Sequence, residues 1–184
     1  MDINRKIVVV SIVIVIVLLA LFGTLRIINQ KSQPNQLIKE MEISIYFATD
    51  EAMYLTSEKR VVKSENLYQN AIKELIAGPD NPANSRTIPD EVKLNDIKIM
   101  NGEARVNFNR ALIDNHWGGS TGERMTVYSV VNTLTQFKEI DEVTFLVEGE
   151  EVKTIVGHMD LTKPLVWNEE IIKEWIFLKI AFLD

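Results

Sequence analysis

The chain has 184 residues, no cysteine, two histidines and a formal net charge of −6 at pH 7. Without cysteines, disulfides, thiolate catalysis and cysteine-ligated zinc are excluded, and two histidines leave little material for another metal site. The acidic balance argues against a nucleic-acid binder, because phosphate contacts require a basic surface.

The N-terminal region contains an uncharged, apolar run at residues 7–25, between Lys6 and Arg26. About 19 residues in a helix extend about 28 Å, which matches the hydrocarbon core of a bilayer. A cleaved signal peptide is the alternative, but its apolar region is shorter and ends in small residues. We therefore predict a transmembrane helix over 7–25, preceded by a short N-terminal tail over 1–6.

The orientation of this helix does not follow from charge, because basic residues flank both of its ends. A short tail before a long span, with a folded domain after it, favours a cytoplasmic N-terminus. We expect a single-pass cell-membrane protein whose C-terminal domain is extracytoplasmic. Residues 26–40 are polar and contain Pro34, so they predict a linker.

The predicted domain, residues 41–167, begins with a strand, a second strand or ribbon through 54–55 and 60–63, and a helix. Residues 42–48 alternate between apolar and polar side chains, as in a strand with one buried face. Ser64 is a candidate helix N-cap, and Gly78 is placed to end that helix. The apolar residues of the helix have helical spacing: Leu67, Ala71, Ile72, Leu75 and Ile76.

A β-hairpin and a second helix follow. Asn101 and Gly102 lie between strand patterns at 92–100 and 104–108, which is a strong hairpin signal. Ser120 and Glu123 have the spacing of a capping box, which predicts a helix start. The apolar face of this helix contains Val127, Val130, Val131, Leu134 and Phe137.

The last predicted elements are a strand at 142–147, a turn at Gly149 and a partner strand at 151–156. The order is β-α-ββ-α-ββ, and each helix has one apolar stripe. We therefore predict an α+β fold with a small mixed sheet and two helices packed on one of its faces, preceded by one transmembrane helix.

The C-terminal tail, residues 168–184, is aromatic and amphipathic. It is too short, and too charged at Glu174 and Lys179, to cross a bilayer. Its pattern predicts a helix that starts near Glu169. Three placements stay open: packing against the domain, lying in the membrane interface, or binding a partner.

The sequence predicts no catalytic, cofactor-binding or metal-ligating residue. The glycine-rich loop 116–122 precedes a helix and could hold an anion, but Glu123 follows Gly122 where a phosphate-binding loop has lysine. A connecting or partner-contact loop is the better interpretation, with Trp117 partly exposed. Asp114 and His116 could form an acid–base pair, but no nucleophile accompanies them.

Other candidate groups also favour structural roles. His158 and Asp160 would share one face of a strand, and Ser129 lies within a helix rather than at a nucleophile elbow. Glu148, Glu150 and Glu151 surround a turn, and a solvated hairpin tip suits them better than a calcium site. We expect neither a cofactor nor catalysis.

Several segments in order resemble the GerMN domain family, which is named after a sporulation and spore-germination protein. They are ISIYFATDEAMYLTSEKRVV, AIKELIAGP, IPDEVKLNDIKIMNGEARVNFN, GGSTGERMTVYSVVNTLTQFKEIDEVTFLVEGEEV and GHMDLTKPL. The resemblance implies a fold similar to ring-building motifs, which serve as assembly modules in the envelopes of spore-forming bacteria. It brings no catalytic residues.

The chain departs from the family pattern at its anchor. Many relatives are lipoproteins, and here Thr24 stands where their modified cysteine would be. Retention by the uncleaved helix is the expected substitute.

The first functional hypothesis is an interaction or assembly protein that docks on envelope or sporulation proteins, including other copies of itself. The alternative is an extracytoplasmic sensor of a small ligand or cell-wall fragment, which requires a concave pocket lined by aromatic side chains. A cell-wall hydrolase ranks last, because it requires converging carboxylates from Asp114, Glu148, Glu150 and Asp160.

Overall fold

The structure is a computed structural model that describes residues 14–22 and 39–173. The chain divides into two units, Met1–Ile38 and Lys39–Asp184. In the first unit, residues 14–22 are helical and their large apolar side chains are exposed. No helix within the described ranges is long and apolar enough to cross a membrane. The predicted span at 7–25 and linker at 26–40 extend beyond those ranges, so both stay predictions.

The second unit is an α+β domain, as predicted. Its elements are β1 (Glu40–Thr49), β2 (Leu55–Lys63), α1 (Leu67–Ala77), β3 (Asn84–Ser85), β4 (Leu94–Met100), β5 (Glu103–Phe108), α2 (Ala111–Asp114), α3 (Ser120–Thr135), β6 (Glu142–Val147), β7 (Glu150–Glu151) and β8 (Leu165–Val166).

The prediction of one small sheet was wrong, because the strands form two sheets. One has the order β2-β1-β3, and the other has the order β4-β5-β6-β7, with β8 also paired to β6. Strand β1 pairs with β2 along its whole length, but with β3 only at Ala48 and Thr49. The rest of that second edge faces α3 rather than another strand, so the sheet stops there.

The hairpin and the second sheet follow the sequence pattern closely. Asn101 and Gly102 have φ values of 53° and 85°, as a two-residue hairpin turn with both central residues at positive φ requires. Strand β5 pairs in parallel with β6, and the connection between them carries α2 and α3. This register places three buried pairs on one face: Ala104 with Val143, Val106 with Phe145, and Phe108 with Val147.

Both long helices contact strands of both sheets, rather than packing on one face of a single sheet. Helix α1 contacts β1, β2 and β4, and α3 contacts β1, β6 and β8. Helix α3 is therefore buried on several sides, which a single apolar stripe did not reveal.

A smaller apolar cluster covers the opposite face of β1. It contains Tyr46, Ala48, Leu55, Met125, Ile171 and Ile172, with Tyr128 and Trp167 packed against it. Trp167 meets Tyr46 edge to face, with ring centroids 5.5 Å apart. The predicted helix start near Glu169 was too early, because residues 169–172 form a turn with a hydrogen bond from the Ile172 N–H to the Glu169 carbonyl, and only Lys173 among the described tail residues is helical. The rest of the predicted helix lies outside the described residues. Ile172 then forms an isolated parallel bridge with Leu55.

The predicted start of α1 was also wrong. The helix begins at Leu67, after Asn66 in the left-handed conformation with φ 56°, and no side chain caps it. Ser64 and Glu65 precede it in a tight turn out of β2. Asn70 holds this turn from within the helix, because its amide donates to the carbonyls of Lys63 and Glu65.

Gly78 ends α1, as predicted, with φ 93°. The Arg86 guanidinium occupies the space where a side chain at position 78 would be, and it donates to the carbonyl oxygens of Ile76 (3.0 Å) and Ala77 (2.5 Å). These two carbonyls have no partner within a helix that ends at Ala77, so Arg86 satisfies them.

Replacing Gly78 with alanine is expected to lower the free energy of unfolding by about 2–4 kcal/mol, because it adds backbone strain and displaces Arg86. Gly157→Ala is the matched control: Gly157 also has φ 93°, but its added Cβ would meet no atom within 4 Å. Chemical denaturation should show a clearly smaller loss for the control. Equal losses would mean that the Arg86 cap contributes nothing.

Candidate functional site

Helix α3 carries a stripe of buried polar side chains. The stripe, which we call the α3 polar stripe, consists of Glu123, Thr126, Ser129, Asn132 and Thr133, all of them at most 1% exposed. Three residues fall about 60° short of a full helical turn, so these side chains wind around the helix from Glu123 to Asn132 and meet different neighbours. Burying polar groups is costly unless they are hydrogen-bonded, so their partners determine what the helix holds.

Near the C-terminal end of α3, polar side chains take the place of a neighbouring strand for β1. The Ser44 N–H donates to Gln136 Oε1 (2.9 Å), and Gln136 Nε2 donates to the Ser44 carbonyl (2.6 Å). The Tyr46 N–H donates to Thr133 Oγ1 (3.2 Å). These contacts satisfy an edge of β1 that would otherwise be open to another strand.

Asn132 fixes the chain that leaves β8. Its amide donates to the Asn168 carbonyl (2.9 Å), and its oxygen accepts from the Asn168 N–H (3.0 Å). This two-bond clamp directs the following residues into the small apolar cluster, where Ile171 and Ile172 are buried.

Glu123 has no solvent exposure and organises the segment that follows β7. The predicted capping box was wrong: Gly119 occupies the N-cap position, and no side chain caps α3.

The Glu123 carboxylate instead accepts five hydrogen bonds from the segment that follows β7. Oε1 accepts from Thr154 Oγ1 (2.7 Å) and the N–H groups of Ile155 (2.7 Å) and Val156 (3.1 Å), and Oε2 accepts from those of His158 (2.7 Å) and Met159 (3.1 Å).

These bonds explain why the predicted partner strand at 151–156 is confirmed only at its start and is wrong beyond Glu151. Only Glu150 and Glu151 pair with β6. Beyond them the backbone turns toward Glu123, whose two oxygens satisfy four N–H groups that a strand would have paired with another strand. His158 and Asp160 therefore do not share a strand face; Asp160 accepts from Thr162 instead.

Burial by itself would raise the pKa of Glu123. The hydrogen bonds from the Thr154 hydroxyl and from the N–H groups of Val156, His158 and Ile155 outweigh that effect and hold the pKa below its ordinary value. The site is therefore built for a carboxylate anion, and its five donors come from the protein itself.

Glu123→Gln is expected to lower the free energy of unfolding by about 2–4 kcal/mol, because an amide NH₂ would face N–H donors and the charge would be lost. The unfolded carboxyl titrates near pH 4.3. The contribution of ionised Glu123 to the free energy of unfolding is therefore complete above that pH, and it is lost as the pH falls through the lower folded pKa. The stability of the variant should not show this part of the acid dependence. Denaturation at pH 7 measures the first effect, and denaturation at a series of pH values below the unfolded pKa measures the second.

Glu148→Gln is the matched control, because exposed Glu148 accepts one hydrogen bond, from the Arg110 N–H (2.8 Å). It should change stability little. Equal destabilisation by the two variants would contradict the role of Glu123.

His116 ties the loop before α3 to the same stripe. The Gly118 N–H donates to His116 Nδ1 (2.9 Å), so Nδ1 is the unprotonated nitrogen. Nε2 then carries the proton and donates to Thr126 Oγ1 (3.0 Å), which in turn donates to the Thr87 carbonyl (2.5 Å). This chain of bonds requires the neutral imidazole.

Burial lowers the pKa of His116, and the negative charge of Glu123 opposes that shift only in part. The neutral ring therefore fits both its surroundings and its hydrogen bonds. The acid–base pair with Asp114 does not form, since Asp114 is paired with Arg110.

The hydrogen bonds of His116 fix the loop before α3, and this loop carries an exposed tryptophan. Trp117 is 57% exposed, as predicted, and follows directly after the anchored His116. Gly118 and Gly119 have φ values of 80° and 79°, so a non-glycine residue at either position would strain the loop.

The His116 ring should titrate below pH 6.5, its ordinary value. Because the folded pKa is lowered, the stabilisation is complete above pH 6.5 and is lost as the pH falls through the folded pKa. NMR of the ring, together with exchange of the Gly118 amide, measures this: exchange should accelerate as the ring protonates. Titration at or above pH 6.5 would contradict the neutral hydrogen-bonded ring.

The remaining candidate residues do not converge on a reactive centre. Glu148 and Asp114 both bond to Arg110, Glu151 pairs with Arg105, and Ser129 donates to the Thr126 carbonyl. Within the described residues, no three His, Asp or Glu side chains are grouped as a metal site.

Three clefts in the domain are open and modest in size. The first, which we call the Met53 groove, has a volume of about 280 Å³ and is lined by Met53, Ser120, Thr121, Arg124 and Met125. The other two, of about 350 and 240 Å³, lie beside α1. None of the three has an aromatic lining residue, as the sensor hypothesis would require.

The fold therefore defines an α+β domain whose buried polar groups serve its own backbone. Residues 44–153 match the Germane family, described as "Sporulation and spore germination". This match covers more than half of the chain, and the protein belongs to that family, which carries the GerMN domain.

Solved structures agree with this assignment. The tandem GerMN domains of the sporulation protein GerM from Bacillus subtilis are 22% identical, with a TM-score of 0.61 over 70% of this chain. This chain spans 46% of that structure. The first GerMN domain of the same protein is 23% identical, with a TM-score of 0.60, 68% of this chain covered and 97% of that one.

A candidate lipoprotein from Clostridium perfringens is 27% identical, with a TM-score of 0.52, 78% of this chain covered and 97% of that one. No curated protein sequence gives a significant match.

Proposed function

We propose that this protein is a non-enzymatic interaction module, anchored in the cell membrane by residues 7–25, with its domain outside the cytoplasm. Its partners would be envelope or sporulation proteins, or further copies of itself, in a complex of sporulation or germination. Family membership supports the developmental setting.

Two observations support the anchor. One is the uncharged apolar run. The other is the similarity to a candidate lipoprotein, because a lipoprotein is held at a membrane by its lipid. Here Thr24 replaces the cysteine that would carry the lipid, so a retained helix would perform the same task. We propose the same arrangement as the sequence predicts: tail 1–6, span 7–25, linker 26–40 and domain 41–167.

The observation that carries the interaction role is the tethered, exposed Trp117. Tryptophan is enriched among residues that dominate binding energy, and a pre-ordered loop reduces the entropy lost on binding. Inside the domain, most buried polar side chains are occupied by hydrogen bonds to the domain itself, which fits a scaffold better than a reactive centre.

The position of the loop also fits this role. Helix α3 runs antiparallel to β1, since Gln136 meets Ser44 whereas Met125 packs in the cluster with Ala48. Trp117, just before α3, is therefore near the end of β1 that is farthest from Glu40. Ten strand residues extend about 30 Å, so the loop and the point where the linker joins are well separated.

Photo-cross-linking in cells tests the proposal. A photoreactive residue at exposed Asn115, two residues before Trp117, should give a discrete product with an envelope protein in sporulating cells, and Trp117→Ala should reduce that product several-fold. The same photoreactive residue at Met100, which is 63% exposed on the β4–β5 hairpin, is the control. Equal products from both positions, or products unaffected by Trp117→Ala, would overturn the interaction role of this loop.

A further inference from the structure

We propose that the C-terminal residues 174–184 dock in the Met53 groove of their own domain. This proposal does not rest on the anchor or on the partner proposed above. It selects one of the three placements that the sequence leaves open for the tail.

The path of the described chain leads to this groove. The Asn132 clamp holds Asn168, the Leu55 N–H donates to the Ile171 carbonyl (2.7 Å), and both Ile171 and Ile172 are buried. The chain is thus bound to the domain up to Ile172, one residue before the last described residue.

The groove is continuous with the cluster that holds this segment. Met125 belongs to the same cluster as Ile171 and Ile172, and it also lines the groove. Met53, on the groove wall, lies only two residues before Leu55, which bonds to Ile171. Ile172 therefore belongs to the apolar cluster that adjoins the groove through Met125.

The groove and the tail are chemically complementary. Met53 is 54% exposed, and methionine side chains adapt well to aromatic rings. The next residues of the tail include Trp175 and Phe177, and its other large apolar residues are Ile176, Leu178, Ile180, Phe182 and Leu183.

Charge points to the same occupant. Arg124 is exposed on the groove wall, and no carboxylate in the described part of the chain forms an ion pair with it. Glu174 follows Lys173 directly and supplies that carboxylate. Eleven residues extend about 16 Å as a helix and about 36 Å when extended, so the tail can cover the groove in either form.

Disulfide trapping in the full-length protein tests the proposal cleanly, because the native chain has no cysteine. Met53→Cys is combined with a single cysteine at each of positions 175–178, in lipid nanodiscs. At least one combination should form a disulfide within one chain, several-fold faster than the same tail cysteine combined with Met100→Cys. Arg124→Glu should slow that reaction several-fold, and adding Glu174→Arg should restore it.

Each other outcome overturns the proposal. Disulfides between chains would assign the groove to the tail of a second copy. Equal rates with Met53→Cys and Met100→Cys would show an undocked tail, and labelling of the tail cysteines by a lipid-phase probe would place the tail in the membrane. Because the cross-linking probe at Asn115 lies outside the Met53 groove and its product depends on Trp117, the two proposals fail separately.

Discussion

The structure of the domain depends on one buried anion. Glu123 has no exposed surface, yet it stays ionised because five donors from residues 154–159 compensate for lost hydration. Removing an acceptor from buried donors costs more than the net gain of an average hydrogen bond, so this carboxylate is a point of high sensitivity. It joins the start of α3 to a segment more than 30 residues away that has almost no regular structure of its own.

The same helix repeats this device along its length. Gln136 and Thr133 satisfy the edge of β1, Asn132 clamps the chain after β8, and Thr126 accepts a hydrogen bond from His116. At the edge of β1, side chains of α3 and Gln136 thus supply hydrogen bonds that a neighbouring strand would otherwise supply. Helix α3 therefore positions both features on which the functional proposals depend: it holds the Trp117 loop through Thr126, and it holds the chain that leads to the tail through Asn132.

Local patterns were enough to predict much of the fold. The alternation of apolar and polar residues identified β1. The Asn101–Gly102 pair, which tolerates positive φ values, located the hairpin turn, and Gly78 marked the end of α1. The motifs in order also identified the family. Trp117 was expected to be partly exposed, because it lies in a glycine-rich loop.

What the sequence did not reveal was long-range. Glu123 looked like a capping residue, because Ser120 lies three residues before it; its true partners are 31 to 36 residues away and are mostly backbone groups. The sequence did contain one signal of this burial. The sides of α3 away from its apolar face carry Thr, Ser and Asn, and small polar side chains of this kind can be buried when they are hydrogen-bonded. The same long-range bonds turned the expected strand beyond Glu151 into a loop.

Amide hydrogen exchange of the native full-length protein would test most directly whether buried side chains of α3 hold these loops. The amides of Ile155, Val156 and His158 lie outside regular structure, yet they should exchange far more slowly than the amide of exposed Lys163. We also expect them to lose protection together, as one cooperative unit with α3. Exchange of these three amides at unprotected rates, while α3 stays protected, would contradict the central role of Glu123.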